Sequence, residues 1–161
     1  MKRALMIVIV LLFSALVFAQ TGMFGIEFNA PLSRVNAALE AAKFTQTELE
    51  SSSAKYTNNT KPNLISLTVR FEGSEKVISG WTIEWDLSTN TTDDVSILNE
   101  IRKLHGETDV EDDFDYDYIW YLENDKALYV LVYPGETMQM NYTEGNYDDD
   151  FYWYYEDYWY Y

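Results

Sequence analysis

The chain has 161 residues, 27 of them acidic against 11 basic, a formal charge of −16, and no cysteine. That charge excludes nucleic-acid binding, which needs a basic footprint to release counterions, and it disfavours anionic lipid surfaces. The missing thiols exclude disulfides, thiolate metal sites and cysteine nucleophiles, so stability must come from packing alone.

Lys2 and Arg3 form a short positive segment, and residues 4–19 are uncharged and almost wholly apolar, with Val17 and Ala19 at the −3 and −1 positions of a peptidase site. This is the pattern of a secretory signal peptide cleaved after Ala19. Sixteen residues fall short of the ~20 that span a bilayer as a helix, so no stable membrane span is expected after cleavage. Gln20 stands where a bacterial lipoprotein would need its cysteine. The expected location is therefore the periplasm or the exterior. The mature chain of 142 residues keeps nine basic and 27 acidic side chains, a charge of −18. Such a charge favours solubility in an exposed compartment.

Leu32, Val35, Leu39 and Ala42 recur at helical spacing behind Pro31, which predicts an amphipathic helix over 31–43 with Phe44 closing onto the core. Residues 45–61 carry little periodicity; a weak strand through Leu49 and a turn over Asn58–Pro62 are the only elements expected there. Ile65, Leu67, Val69 and Phe71 then alternate with polar residues, as do Val77, Trp81, Ile83, Trp85 and Leu87. Gly73-Ser74 between the two runs predicts an antiparallel hairpin with one buried face, so Trp81 and Trp85 belong to the core.

Thr91 and Asp94 have capping-box spacing, Ile97, Leu98, Ile101 and Leu104 line one face, and Gly106 marks the stop of a second helix. His105, the sole histidine, stands in its last turn beside Arg102 and Lys103, where a capping role is expected. An acidic loop follows. Residues 118–123 and 127–133 predict a hairpin turning at Asn124-Asp125, and Met138, Met140 and Tyr142 alternate through a last strand after Pro134-Gly135.

These elements predict an α+β fold with two helices packed on a mainly antiparallel sheet. Their order suggests two α-β-β-β halves, 23–88 and 89–143, within a domain of residues 20–143, followed by a tail over 144–161. Phe28 and Pro31 leading into Val35, Leu39 and Phe44, and Leu98, Leu104 and Gly106 leading to Trp120, resemble small bacterial envelope domains. These are the outer-membrane assembly lipoproteins and the β-lactamase-inhibitor-like repeats. The resemblance implies a non-enzymatic, protein-binding role in the envelope. It names no binding residue, and the lipid-bearing cysteine of the lipoproteins is missing.

Among residues that could carry chemistry, Asp113, Asp115 and Asp117 copy the first three ligand positions of a calcium loop. Tyr118 stands at that loop's glycine position and Asn124 at its bidentate glutamate. A solvated acidic loop is the other reading of this cluster. Glu84 and Asp86 point to one strand face and would serve a glycan-active enzyme with paired carboxylates, or simply solvate the sheet. No motif for a cofactor is present.

All fifteen residues from Tyr147 to Tyr161 are aromatic or acidic. Three readings stay open for this tail: a last strand covering the sheet, disorder, or an exposed contact surface. As a contact surface it would use Trp153, Tyr155, Tyr158, Trp159 and Tyr161 against an envelope protein or a glycan. The function expected from the sequence is an exported, non-catalytic binding module without a cofactor, and the alternatives are a small glycan-active enzyme or a calcium-binding envelope protein.

Overall fold

The computed structural model describes residues 21–61, 63–88, 93–112 and 117–144. Helix α1 (Leu32–Ala41) buries Leu32, Val35 and Leu39, the stripe that helical spacing required. Pro31 is its N-cap with extended backbone, and its carbonyl accepts the Arg34 and Val35 N–H groups at 2.9 and 3.3 Å. At the other end Lys43 takes a left-handed φ of 70°, its N–H donates to the Glu40 carbonyl, and the Phe44 N–H donates to that of Leu39. This pair of bonds is the Schellman closure, here made without glycine. Phe44 is buried behind it.

Four strands follow: β1 (Thr45–Leu49), β2 (Ser53–Thr57), β3 (Leu64–Glu72) and β4 (Val77–Asp86). After α2 (Asp93–His105) come β5 (Val110–Asp112), β6 (Asp117–Leu122), β7 (Lys126–Tyr133) and β8 (Thr137–Glu144). Together they form one sheet in the order β1-β2-β3-β4-β8-β7-β6-β5, with every neighbouring pair antiparallel. Two four-stranded meanders thus meet at the β4–β8 seam.

This corrects the expected fold class. Strand takes 49% of the structure against 23% for helix, so helices packed on a sheet in α-β-β-β halves is not the plain description. The molecule is a strand-dominated antiparallel sheet of seven full strands with the three-residue β5 at one edge and two helices as minor elements. The difference comes from strands without an apolar row. All five residues of β1 are exposed, β2 buries only Ala54 and Tyr56, and β5 reads Val-Glu-Asp.

Register builds the core on one face. Trp81, Ile83 and Trp85 of β4 stand opposite Tyr142, Met140 and Met138 of β8, which in turn face Leu128, Val130 and Val132 of β7. All nine are buried, together with Ile97, Leu98 and Ile101 of α2. Leu104, expected in the same row, is 51% exposed. Ile65 is also turned outward, because a bulge between Leu64 and Ser66 shifts the register and leaves Leu64 as the inward side chain. At the β6–β7 turn Asn124 and Asp125 both take left-handed φ, 58° and 56°, the signature of a primed two-residue hairpin.

Tyr142 ties the two meanders to the segment before α1 and to the last residue of α2. Its ring, fully buried, stacks on Trp81 with centroids 4.3 Å apart, and Phe28 packs on Trp81 at 4.7 Å. The Met23 N–H donates to the Tyr142 hydroxyl oxygen at 3.2 Å, and His105 Nε2 lies 3.0 Å from the same oxygen. Burial lowers the His105 pKa, which favours the neutral imidazole, and in the tautomer that leaves Nε2 unprotonated the Tyr142 hydroxyl donates to it. Burial also raises the Tyr142 pKa. His105 therefore bonds to β8, while the helix end is closed by Gly106, whose φ is 86° and whose N–H donates to the Arg102 carbonyl. The opposite sheet face is polar at the seam. Arg70 crosses it, donating to Thr82 Oγ1 at 2.7 Å and to the Tyr142 carbonyl at 3.0 Å. It passes over Gly80, where a Cβ would stand 2.6 Å from that carbonyl oxygen.

A candidate ligand cleft beside Trp85

A cleft of about 620 Å³ opens between α2 and the segments leading into β3. Its first ring comes from a 3₁₀ turn, Met23–Gly25, in which Phe24 has a φ of 65°. A bulky side chain in left-handed backbone is a costly conformation, and such strain gathers where a side chain must be aimed. The turn sets Phe24 edge-on to Phe44 at 4.9 Å and 6.3 Å from Trp85, so two aromatic rings border one space.

Lys61 stands at the mouth, its ammonium 5.6 Å from the Phe24 ring centroid. The turn that carries it is fixed by Asn58, a 3% exposed amide with every group engaged. Asn58 Nδ2 donates to the Ala42 carbonyl at 2.9 Å, while its Oδ1 accepts from the Thr60 N–H and hydroxyl. The facing wall is one stripe of α2: Ser96, Ile97, Glu100, Lys103 and Leu104, spaced as one helix face must be. Leu104 is exposed because it lines this cleft instead of the core. Lys103 pairs with Glu100 one turn back.

Two buried indole N–H groups, of Trp81 and Trp85, have no acceptor among the described residues. Only Trp85 lines the cleft, and it is 8% exposed. An unmet buried donor costs about 1–3 kcal/mol. The Trp85 nitrogen is closed off from solvent, so the cleft meets the Trp85 ring and not its N–H.

The residues singled out from the sequence fall elsewhere. Trp153, Tyr155, Tyr158, Trp159 and Tyr161 lie outside the described residues, as do Asp113 and Asp115. Asp117 is described as the first residue of β6, paired with Leu131 and Asp112. Among the described residues no group of three or more side chains could hold a metal ion. Glu84 and Asp86 share the sheet face opposite Trp85, so they do not border the cleft. Ser66 Oγ donates to Glu84, and the Ser88 N–H and hydroxyl donate to Asp86, holding that carboxyl below the usual range. A general acid at neutral pH needs the opposite shift.

Among the described residues no helix is long and apolar enough to cross a membrane. Comparison with protein families, with curated proteins and with solved structures finds no match to this chain.

Proposed function

We propose that this chain is an exported, non-catalytic binding protein of the cell envelope or exterior, and that the cleft beside Trp85 receives its ligand. The observation that carries the reading is one cavity of drug-ligand size, bordered by apolar rings and edged by a few polar groups. Its walls come from four separate stretches of chain, and the fold holds Phe24 in strained backbone to complete them. Export rests on the signal pattern of residues 1–19, and the aromatic tail remains a second contact element for an envelope protein or glycan. The acid pair Glu84 and Asp86 stands on the other sheet face, which favours binding over glycan cleavage as the use of this cleft.

Titration with anilinonaphthalene sulfonate tests the reading, because the dye brightens in apolar cavities and accepts energy from tryptophan. The natural protein should bind it saturably, one molecule per chain. Leu104→Glu places a charge in the cleft wall at an exposed position and should abolish binding while leaving the unfolding transition cooperative. Equal binding by this variant, or none by the natural protein, would overturn the assignment.

A further inference from the structure

We infer that the cleft selects a small amphipathic monoanion, an apolar body carrying one carboxylate; this rests on the binding reading above and specifies its ligand. The chain as a whole repels anions, with a formal charge of −16. The cleft reverses that sign. Among the described residues its only acidic lining residue is Glu100, against Lys61 and Lys103. Glu100 is already paired with Lys103, whereas among the described residues no carboxylate lies within ion-pair distance of Lys61. Elsewhere Arg34, Arg102 and Lys126 each meet a carboxylate, while Lys43, Lys55 and Lys76 show no ion pair among the described residues, so it is its place beside an apolar cleft that sets Lys61 apart. A cation left unpaired at the mouth of an apolar cavity, in so acidic a protein, is placed where an incoming anion would meet it.

The chemistry of the site narrows the anion. Among the described residues no arginine, whose planar fork suits phosphate, lines this cleft, and a dianion would be repelled more strongly than a monoanion by so acidic a chain. Lysine offers a point charge suited to a single carboxylate. A monoanion also suffers least from Glu100 and from the field of the surrounding acids. The Trp85 ring lines the wall while its N–H is closed off from solvent, so the lysine charge is the polar anchor on which the selectivity rests. The remainder of the ligand would lie against Phe24, Trp85 and Leu104, so it must be apolar, and the volume of about 620 Å³ suits a body of one or two fused rings or a medium alkyl chain.

Calorimetric titration of the purified protein with naphthylacetate, naphthylacetamide and naphthylethylamine separates the charge from the apolar body. The acid should bind about tenfold or more tighter than the neutral amide, and the amine weakest, against the order that net charge alone would set. Lys61→Gln should remove the preference for the acid and leave amide affinity unchanged. Equal affinity for acid and amide, a preference for the amine, or a preference for the acid that survives Lys61→Gln overturns this inference. If all three bind alike and Leu104→Glu abolishes them, the cleft remains a binding site and only its anion selectivity falls. If none binds, both readings fall.

Discussion

Removing one oxygen atom, by Tyr142→Phe, tests whether the β8 hub holds the molecule together. The ring and its stack on Trp81 stay, so no cavity opens and the area kept from water is almost unchanged. What is lost is the acceptor for the Met23 N–H and the donor to His105 Nε2. Met23 is 8% exposed, so its N–H cannot turn to water; a buried donor left unmet costs about 1–3 kcal/mol. His105 is half-exposed and can recruit solvent, so its share is smaller. The expected loss is about 2 kcal/mol, a fall of roughly 6–8 °C in Tm for a domain of this size. Urea unfolding should show a lower midpoint with the same m value, because the surface exposed on unfolding does not change. By contrast Tyr142→Leu, which also removes the stack, should lose about 3–5 kcal/mol. A loss below about 0.5 kcal/mol in the phenylalanine variant would refute the claim that the hydroxyl bonds carry the junction.

Lys43 pays for its left-handed backbone in a helix closure that usually employs glycine, so Lys43→Gly should be neutral or stabilising, by up to about 1 kcal/mol in urea unfolding; a clear loss would mean that the lysine side chain itself holds the closure. His105 gives a pH signature with a definite sign. Burial lowers its pKa in the folded chain below the ordinary 6.5, so the unfolded state binds the proton first as pH falls. Its contribution is fully present above about pH 6.5 and is lost as pH drops through the folded value. The urea midpoint should therefore decrease between about pH 7.5 and 5.5, and His105→Gln should flatten that part of the profile; an identical slope in the variant would show that carboxylates cause it.

The elements legible in the sequence are those in which one face is apolar and the other wet. The β3–β4 and β6–β7 hairpins and both helices announce themselves in this way, through Leu67-Val69-Phe71, Trp81-Ile83-Trp85 and Ile97-Leu98-Ile101. Strands β1, β2 and β5 are held chiefly by backbone pairing to a neighbour already in place, which leaves little trace in side-chain pattern; only a weak strand through Leu49 was legible there, so the sheet looked smaller beside its two helices than it is. The cleft was hidden for a related reason. Phe24, Lys61, Trp85 and Leu104 come from four separate stretches of chain, and each has an ordinary local reading: a ring between glycines, a turn lysine, a core tryptophan, the last apolar residue of a helical stripe. Leu104 left no sign either, since it stands seven residues from Ile97 and three from Ile101, on the same helical stripe; that stripe runs on past the core into the cavity shared with Lys61. The same residue that broke the expected core therefore marks the wall where a charge can block the cleft without disturbing the fold.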